Sequence, residues 1–207
     1  YATILMGIPF YKHSLKYHNK AIHIAEQENE MERIGESLYI ASVCYQWQGD
    51  FSTSNEFLKI SKNIFNKIGD IKGIEFVLNL ESLNYFYLSD IERAEQTACN
   101  FLELAKKIND IHGISAAIDT LSEIFFIKGD LKKAEEFTML GFDYIENNTD
   151  NFISCVVNLN MGRILLNRND IQGALDHLIK AKELYEKHNL MNQYTVQLYF
   201  YLAEAYI

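Results

Sequence analysis

The sequence predicts an all-α fold built from consecutive antiparallel helix pairs, and three observations lead to this prediction. The 207 residues include one proline and ten glycines, too few for the many tight turns of an all-β protein. A triplet of Gly, Asn or Ser, then Asp, then an apolar residue recurs every 40 residues, which indicates a repeat architecture. Between the triplets, apolar residues recur at steps of three and four, as in amphipathic helices.

Two interleaved series of triplets set the helix boundaries. The first series opens at Gly49, Ser89, Gly129 and Asn169. The second, with the same period, opens at Gly69, Asn109 and Thr149. Gly and Asn suit the left-handed residue that follows a helix end, and Asp accepts hydrogen bonds from the first N–H groups of the next helix. Each triplet therefore ends one helix and begins another.

The helices follow from these boundaries. The first helices of the pairs are predicted over 31–48, 71–88, 111–128, 151–168 and 192–207. The second helices are predicted over 10–28, 51–68, 91–108, 131–147 and 171–188. Pro9 precedes the earliest of these, where its missing N–H does no harm. The turns are so short that neighbouring helices must be antiparallel. The spacing slips by one residue near 190, so Ala203 and Tyr206 are expected to correspond to Gly162 and Leu165.

The repeats define the predicted domain organisation. Complete repeats cover 31–70, 71–110, 111–150 and 151–190, with partial repeats over 1–30 and 191–207. We expect one domain over 1–207. Both termini of the sequence fall within apolar-periodic stretches, so we expect the chain to be a fragment of a longer protein.

Charge and cysteine content limit the function classes. The formal charge is −9, from 19 Lys and Arg against 28 Asp and Glu, which argues against nucleic acid as a partner. The sequence has no apolar run of about 18 residues, so no membrane span is expected. Cys44, Cys99 and Cys155 lack the spacing of metal ligands, and we expect reduced, buried thiols in a cytoplasmic protein.

No arrangement of residues predicts catalysis or cofactor binding. The sequence contains none of the nucleotide-binding, zinc-protease or serine-hydrolase motifs. His13, His18 and His23 are five residues apart and turn by about 140° per step, so they do not share a helix face as metal ligands would. His112 and His177 are isolated, as is His188, and all three are expected to face solvent. We therefore predict no enzymatic activity, cofactor or metal within this chain.

The repeats resemble the tetratricopeptide repeat (TPR) superfamily, whose pattern has Gly-Asp-aromatic between helices, then a small residue three positions later and another seven further on. The matching residues are Gly129, Asp130, Leu131, Ala134 and Gly141, and again Asp170, Ile171, Ala174 and Ala181. Three features depart from the pattern: a period above the usual 34 residues, Phe101 at a small-residue position, and no repeat-ending proline. The longer period resembles that of bacterial regulators of the maltose-regulator-like or Rap/PlcR type. HEAT or armadillo arrays are the alternative, but they usually lack the signature.

The resemblance implies a right-handed superhelix (solenoid) whose groove is lined by the first helices of the pairs. The implied groove residues are Tyr39, Val43, Gln46, Trp47, Asn79, Leu83, Phe86, Tyr87, Asp119, Glu123, Phe126, Leu159, Arg163, Leu166, Asn167, Phe200 and Glu204. Interleaved aromatic and amide side chains suit a peptide, because an amide pairs with both backbone N–H and C=O.

The same groove positions argue against one TPR subtype. TPR domains that bind a C-terminal carboxylate use Lys, Asn and Arg there, and only Arg163 and Asn79 could serve in this sequence. Asp119 and Glu123 instead place two carboxylates one turn apart. A basic or neutral partner segment is therefore favoured.

The predicted function is a non-catalytic protein- or peptide-binding module, the sensory or regulatory part of a larger bacterial signalling protein. One alternative is a structural scaffold that mediates self-association. The other is a part of a Rap-like phosphatase whose active portion lies outside this chain.

Overall fold

A computed structural model describes residues 11–28, 30–147, 151–188 and 194–207. Within these ranges the chain forms helices and no strand. The helices are α1 (Tyr11–Glu28), α2 (Met31–Trp47), α3 (Phe51–Ile68), α4 (Ile71–Tyr87), α5 (Ile91–Lys107), α6 (Ile111–Ile127), α7 (Leu131–Asn147), α8 (Asn151–Asn167), α9 (Ile171–His188) and α10 (Tyr194–Ala205). Successive helices pack as hairpins, for example α2 on α3 and α8 on α9. The predicted all-α class is confirmed.

The chain divides into two compact units, Tyr1–Leu104 and Ala105–Ile207, with the boundary inside α5. In the first unit, α2 contacts α4 as well as α3. In the second unit, α6 contacts α8, and α8 contacts α10. Within each unit, then, the first helices of successive pairs lie side by side. The single domain over 1–207 stays a prediction.

The triplets end the helices by the expected mechanism. The N–H of Gly49 donates to the carbonyl of Gln46 at 2.9 Å, and the N–H of Asp50 donates to that of Tyr45 at 3.0 Å. This pair of bonds requires a left-handed residue between the helices. Six such residues have positive φ: Gly49 (78°), Gly69 (73°), Ser89 (60°), Asn109 (55°), Gly129 (75°) and Asn169 (64°). The described helix ends lie within two residues of their predicted positions.

The aspartates begin the next helices. Asp50 accepts a hydrogen bond from the N–H of Thr53 at 3.1 Å, and Asp130 accepts one from the N–H of Lys133 at 3.1 Å. Asp70, Asp90 and Asp170 accept the equivalent bond, and Asp110 accepts one from the N–H of His112, two residues later. Thr149, Asp150, Pro9 and the linker near 190, which also carried predictions, lie outside the described residues.

Asp130→Ala is expected to lower the free energy of unfolding by about 1 kcal/mol, because the N–H of Lys133 at the start of α7 loses the carboxylate that accepts its hydrogen bond. Gly129→Val is expected to cost more, because a β-branched residue is strained at φ 75°. Thermal unfolding monitored by circular dichroism measures both. Glu103→Ala, at an exposed position of α5, is the control, and a Gly129→Val variant as stable as this control would contradict the expectation.

Small residues allow the paired helices to approach closely. In the first series of triplets, the residues four positions after the aspartates have no exposed surface: Ser54, Ala94, Ala134 and Ala174. Phe101, which departs from the TPR pattern, is 1% exposed and is accommodated in the core.

Burial in α10 agrees with the predicted slip of the period. Val157 of α8 is buried, and Leu198, 41 residues later, is buried in the core that α10 shares with α8 and α9, whereas Gln197, 40 residues later, is exposed. Ala203 and Tyr206 lie on the exposed side of α10. The apolar face of α10 is therefore displaced by one residue from the 40-residue register.

The cysteines are free thiols. Cys44 and Cys155 are buried, and Cys99 is half-buried rather than fully buried as expected. Burial raises the pKa of the Cys155 thiol to about 11. Among the described helices, none combines the length and apolar character needed to cross a bilayer.

Candidate functional site

The expected groove residues fall in both units, and each unit is described by itself. The first unit carries Tyr39, Gln46, Trp47, Asn79, Phe86 and Tyr87. The second unit carries Asp119, Glu123, Phe126, Arg163, Asn167 and Glu204.

Four of the six expected groove residues in the first unit are aromatic. Tyr87 stacks on Phe51 with ring centroids 5.2 Å apart and meets the edge of Phe86 at 5.7 Å. Tyr87 is 55% exposed and Trp47 is 50% exposed. These residues end their helices one repeat apart, so the first unit presents exposed aromatic surface at the C-terminal ends of α2 and α4.

Tyr39 is more buried than Trp47 and Tyr87. Its ring stacks on Phe76 at a centroid distance of 5.9 Å, and the Lys72 ammonium lies 4.6 Å from the Phe76 centroid. Burial, with a smaller contribution from the charge of Glu75, raises the pKa of the Tyr39 hydroxyl. Tyr39 therefore stays neutral and presents only part of its ring.

The side chain of Gln46 is hydrogen-bonded within the first unit. Its Nε2 donates to Asn84 Oδ1 at 3.0 Å. The buried Asn84 in turn donates from Nδ2 to Ser54 Oγ and to Asn55 Oδ1, both at 2.8 Å. Asn84 thus ties α2, α3 and α4 together. The sequence did not predict a role for Asn84. The only indication in the sequence was a polar residue among the apolar residues on the core face of α4.

The second unit contains a group of six residues that we call the charged cluster: Asp119, Glu123, Phe126, Asn160, Arg163 and Tyr194. Asp119, Glu123 and Phe126 are spaced by four and three residues and share one face of α6. Asn160 and Arg163 share a face of α8 in the same way. Because α6, α8 and α10 lie side by side, the three helices bring these residues together.

Arg163 is the central residue of the charged cluster and is 3% exposed. Its Nη1 donates to Glu123 Oε2. The guanidinium carbon lies 4.3 Å from the ring centroid of Phe126. The remaining nitrogens, Nε and Nη2, are buried and find no acceptor among the described residues. A buried donor without an acceptor costs about 1–3 kcal/mol, so this arginine has unused hydrogen-bonding capacity.

Asp119 connects three helices. Its Oδ1 accepts from Asn160 Nδ2 at 2.8 Å, and its Oδ2 accepts from the Tyr194 hydroxyl at 2.6 Å. Burial raises the pKa of the Asp119 carboxyl, and the charge of Glu123 acts in the same direction. The two hydrogen bonds and the charge of Arg163 act against this shift.

Two members of the charged cluster, Asn160 and Tyr194, were not predicted. Asn160 could have been found, because it lies three residues before Arg163 on the same helix face. No local motif points to Tyr194. Of the remaining expected groove residues, Asn167 and Glu204 are exposed, whereas Leu159 is 2% exposed and packs in the core.

His177 does not face solvent as expected. It is half-buried, its Nδ1 lies 2.9 Å from Asn158 Oδ1, and its ring centroid is 5.7 Å from that of Phe142. The prediction failed because α8 lies over one side of the imidazole. Burial and, less strongly, the charge of Lys180 lower the pKa of His177.

The lowered pKa makes stability depend on pH. In the unfolded chain the His177 imidazole takes up a proton near pH 6.5, whereas in the folded chain it does so only at a lower pH. The contribution of His177 to stability is therefore present above that pH and is lost as the pH falls below it. We expect His177→Gln to reduce the fall in melting temperature between pH 7.5 and 5.5 (about one unit either side of the ordinary histidine pKa), whereas Asn63→Ala, at an exposed position of α3 that does not titrate, leaves the fall unchanged. An unchanged pH profile in His177→Gln would contradict this.

Within the described residues, no three His, Cys, Asp or Glu side chains lie together as metal ligands. The charged cluster offers hydrogen-bond donors, acceptors and an aromatic ring. Molecular recognition is the chemistry that this set of groups can perform.

No protein-family model and no curated protein matches this sequence. Solved structures share the fold. BtubC (BKLC) from P. vanneervenii aligns with a TM-score of 0.78 at 12% identity, over 95% of this chain and 83% of that one. A Signal Transduction ATPase with Numerous Domains (STAND) protein with a tetratricopeptide repeat sensor, from Pyrococcus horikoshii, aligns with a TM-score of 0.79 at 15% identity.

The STAND alignment covers 99% of this chain and 30% of that protein. The APC/C hetero-tetramer Cut9-Hcn1 aligns with a TM-score of 0.61 at 15% identity, over 97% of this chain and 40% of the matched chain. At these identities the likeness concerns the fold. The chain has a TPR-like helical repeat fold.

Proposed function

We propose that this chain is a non-catalytic module that binds a peptide or protein segment along the first helices of its pairs. The observation that carries the proposal is Arg163, which is buried beside Phe126 and has two nitrogens without an acceptor in the part of the chain that the structure describes. Such a group is costly in the free protein, and a bound segment would supply the missing acceptor. In the first unit, taken by itself, the exposed aromatic rings of Trp47 and Tyr87 offer apolar contact area of the kind that anchors peptides.

The partner segment is proposed to be basic or neutral. The formal charge of −9 attracts basic segments at long range. In the charged cluster, two carboxylates accompany one guanidinium, so an acidic segment would meet repulsion.

The wider role is proposed as the sensory or regulatory part of a larger bacterial signalling protein in the cytoplasm. The solved STAND protein carries a TPR sensor, and this chain aligns with 30% of it. Three free thiols are consistent with a reducing compartment.

Peptide-array binding followed by fluorescence anisotropy tests the proposal. A peptide selected by the full chain is expected to bind more weakly to at least one of Asn79→Ala, Phe86→Ala and Arg163→Ala, by about tenfold, the equivalent of one lost hydrogen bond or aromatic contact. Met139→Ala, an exposed position on a second helix, is the control and should bind normally. Equal binding by all three variants would exclude the groove, and the absence of any selected peptide would contradict the function.

Self-association as a structural scaffold is the second candidate, favoured by the apolar surface of α10. Val196 is 78% exposed, Phe200 is 62% exposed and Tyr199 is 45% exposed. Light scattering should give the mass of a monomer if the chain acts only as a receptor. A dimer mass that Val196→Asp and Phe200→Asp both abolish would favour the scaffold.

A further inference from the structure

We infer that the charged cluster binds an amide group of the partner, with the amide oxygen on the Nε–Nη2 edge of Arg163 and the amide N–H on Asp119 or Glu123. This inference rests on the proposed function and names the chemical group that the site recognises. The group is a main-chain amide or the side-chain carboxamide of Asn or Gln, which share this chemistry.

The donor side of the site is one edge of the guanidinium. Nη1 is occupied by Glu123, and Nε and Nη2 point along the other edge without an acceptor among the described residues. The N–H groups on such an edge are nearly parallel and can bind one oxygen together. An arriving carbonyl oxygen would remove the cost of two buried, unsatisfied nitrogens. The gain is largest in a buried site, where competing water is excluded.

The acceptor side selects a neutral ligand. An ionised carboxylate has about four lone-pair sites, and each oxygen of Asp119 receives one hydrogen bond, from Asn160 or from Tyr194. Asp119 and Glu123 can therefore accept further N–H groups. A carboxylate ligand would be a third negative group beside a single guanidinium, and it carries no N–H to donate. An amide supplies both a donor for the carboxylates and the acceptor that the Arg163 edge does not find among the residues described.

The Arg163 edge is closed to solvent. The half-buried Phe126 ring lies against the guanidinium, and Nε and Nη2 are not reached by solvent. Side chains around the guanidinium must therefore move for a ligand to enter. The expected affinity for a small amide is accordingly low, and the test must detect weak binding directly at Arg163.

The first experiment follows the Arg163 Nε–H resonance by ¹H–¹⁵N NMR in the full chain, identified by its loss in Arg163→Lys. The probes are acetyl-alanine N-methylamide, acetyl-asparagine N-methylamide and sodium acetate at matched ionic strength. We expect both amides to shift this resonance in a saturable way and acetate not to. A larger shift with the asparagine compound indicates the side-chain carboxamide, and equal shifts indicate the main chain. A response to acetate alone, or to no probe, overturns the inference, and the Nε–H of Arg168 at the end of α8 is the control.

The second experiment separates this inference from the proposed function. Arg163→Lys keeps the positive charge and removes the Nε–Nη2 edge. A peptide selected by the wild-type chain should bind about tenfold more weakly to Arg163→Lys, with circular dichroism showing that the variant is folded at the assay temperature, while Arg168→Lys binds normally. If Phe86→Ala weakens the peptide and Arg163→Lys does not, the inference fails and the proposed function stands. If no peptide binds but the amides still shift the resonance, the proposed function fails and the inference stands.

Discussion

Phe101→Ala is expected to lower the free energy of unfolding by about 3–5 kcal/mol, as other large-to-small changes at aromatic core positions do. Phe101 is 1% exposed and is the largest side chain among the most deeply buried residues. The other repeats have Ser61, Gly141 and Ala181 at the equivalent position. The surrounding helices are therefore spaced for a ring here, and removal of the ring leaves a cavity. Urea unfolding followed by circular dichroism measures the loss.

Ile60→Ala is the matched control, because Ile60 is an apolar residue of α3 that is 50% exposed. It should lose well under half as much stability. A loss below about 1 kcal/mol in Phe101→Ala would contradict the expectation, because it would mean that the helices close over the space at little cost.

Gly162→Ala is expected to be destabilising by about 1–3 kcal/mol net, which is the usual range for overpacking. A Cβ at this position would lie 2.6 Å from Leu178 Cγ, 2.7 Å from Leu178 Cδ2 and 3.3 Å from the Ala174 carbonyl oxygen. Helix propensity acts in the opposite direction, since Ala is favoured over Gly by about 1 kcal/mol. The steric effect should win, because the carbonyl belongs to the backbone and Leu178 is fully buried. Thermal or urea unfolding gives the net change.

A double-mutant cycle provides the test of cause. Leu178→Ala removes the side chain that the new methyl group meets, so Gly162→Ala should cost less in that background than alone. Asn100→Ala, at an exposed position of α5, reports the propensity effect without a clash. If the single variant Gly162→Ala were more stable than the wild-type chain, Leu178 would be able to adopt another rotamer without cost. That result would contradict the predicted steric clash between α8 and α9.

The helix ends were predictable because their causes are local. The left-handed residue at Gly69 and the capping bond that Asp70 accepts from the N–H of Gly73 involve residues within four positions of each other. The same holds at Asn109 and Asp110. Sequence spacing fixes such interactions, and repetition at a constant period makes them recognisable. The one-residue slip predicted for α10 was inferred from matching residue types, and burial agrees with it, because Leu198 and not Gln197 packs in the core of α8 and α9.

The candidate site was predictable only in part. Helical spacing correctly grouped Asp119 with Glu123 on one face. Spacing within one helix does not predict which residues of other helices form hydrogen bonds with these two carboxylates. Arg163 was expected to line a groove, yet it is buried against Glu123 and Phe126. Its burial depends on the separation of α6 and α8, which no local pattern gives.

The amino-acid sequence by itself determined the helices, their caps and their pairing, because those depend on contacts within a few residues and on a periodic apolar face. Tertiary structure alone decided which polar groups meet inside the second unit. The bond between Asp119 and Tyr194 joins residues 75 positions apart. Hydrogen bonds and desolvation act over a few ångströms between side chains, so their partners are fixed only when the helices have packed.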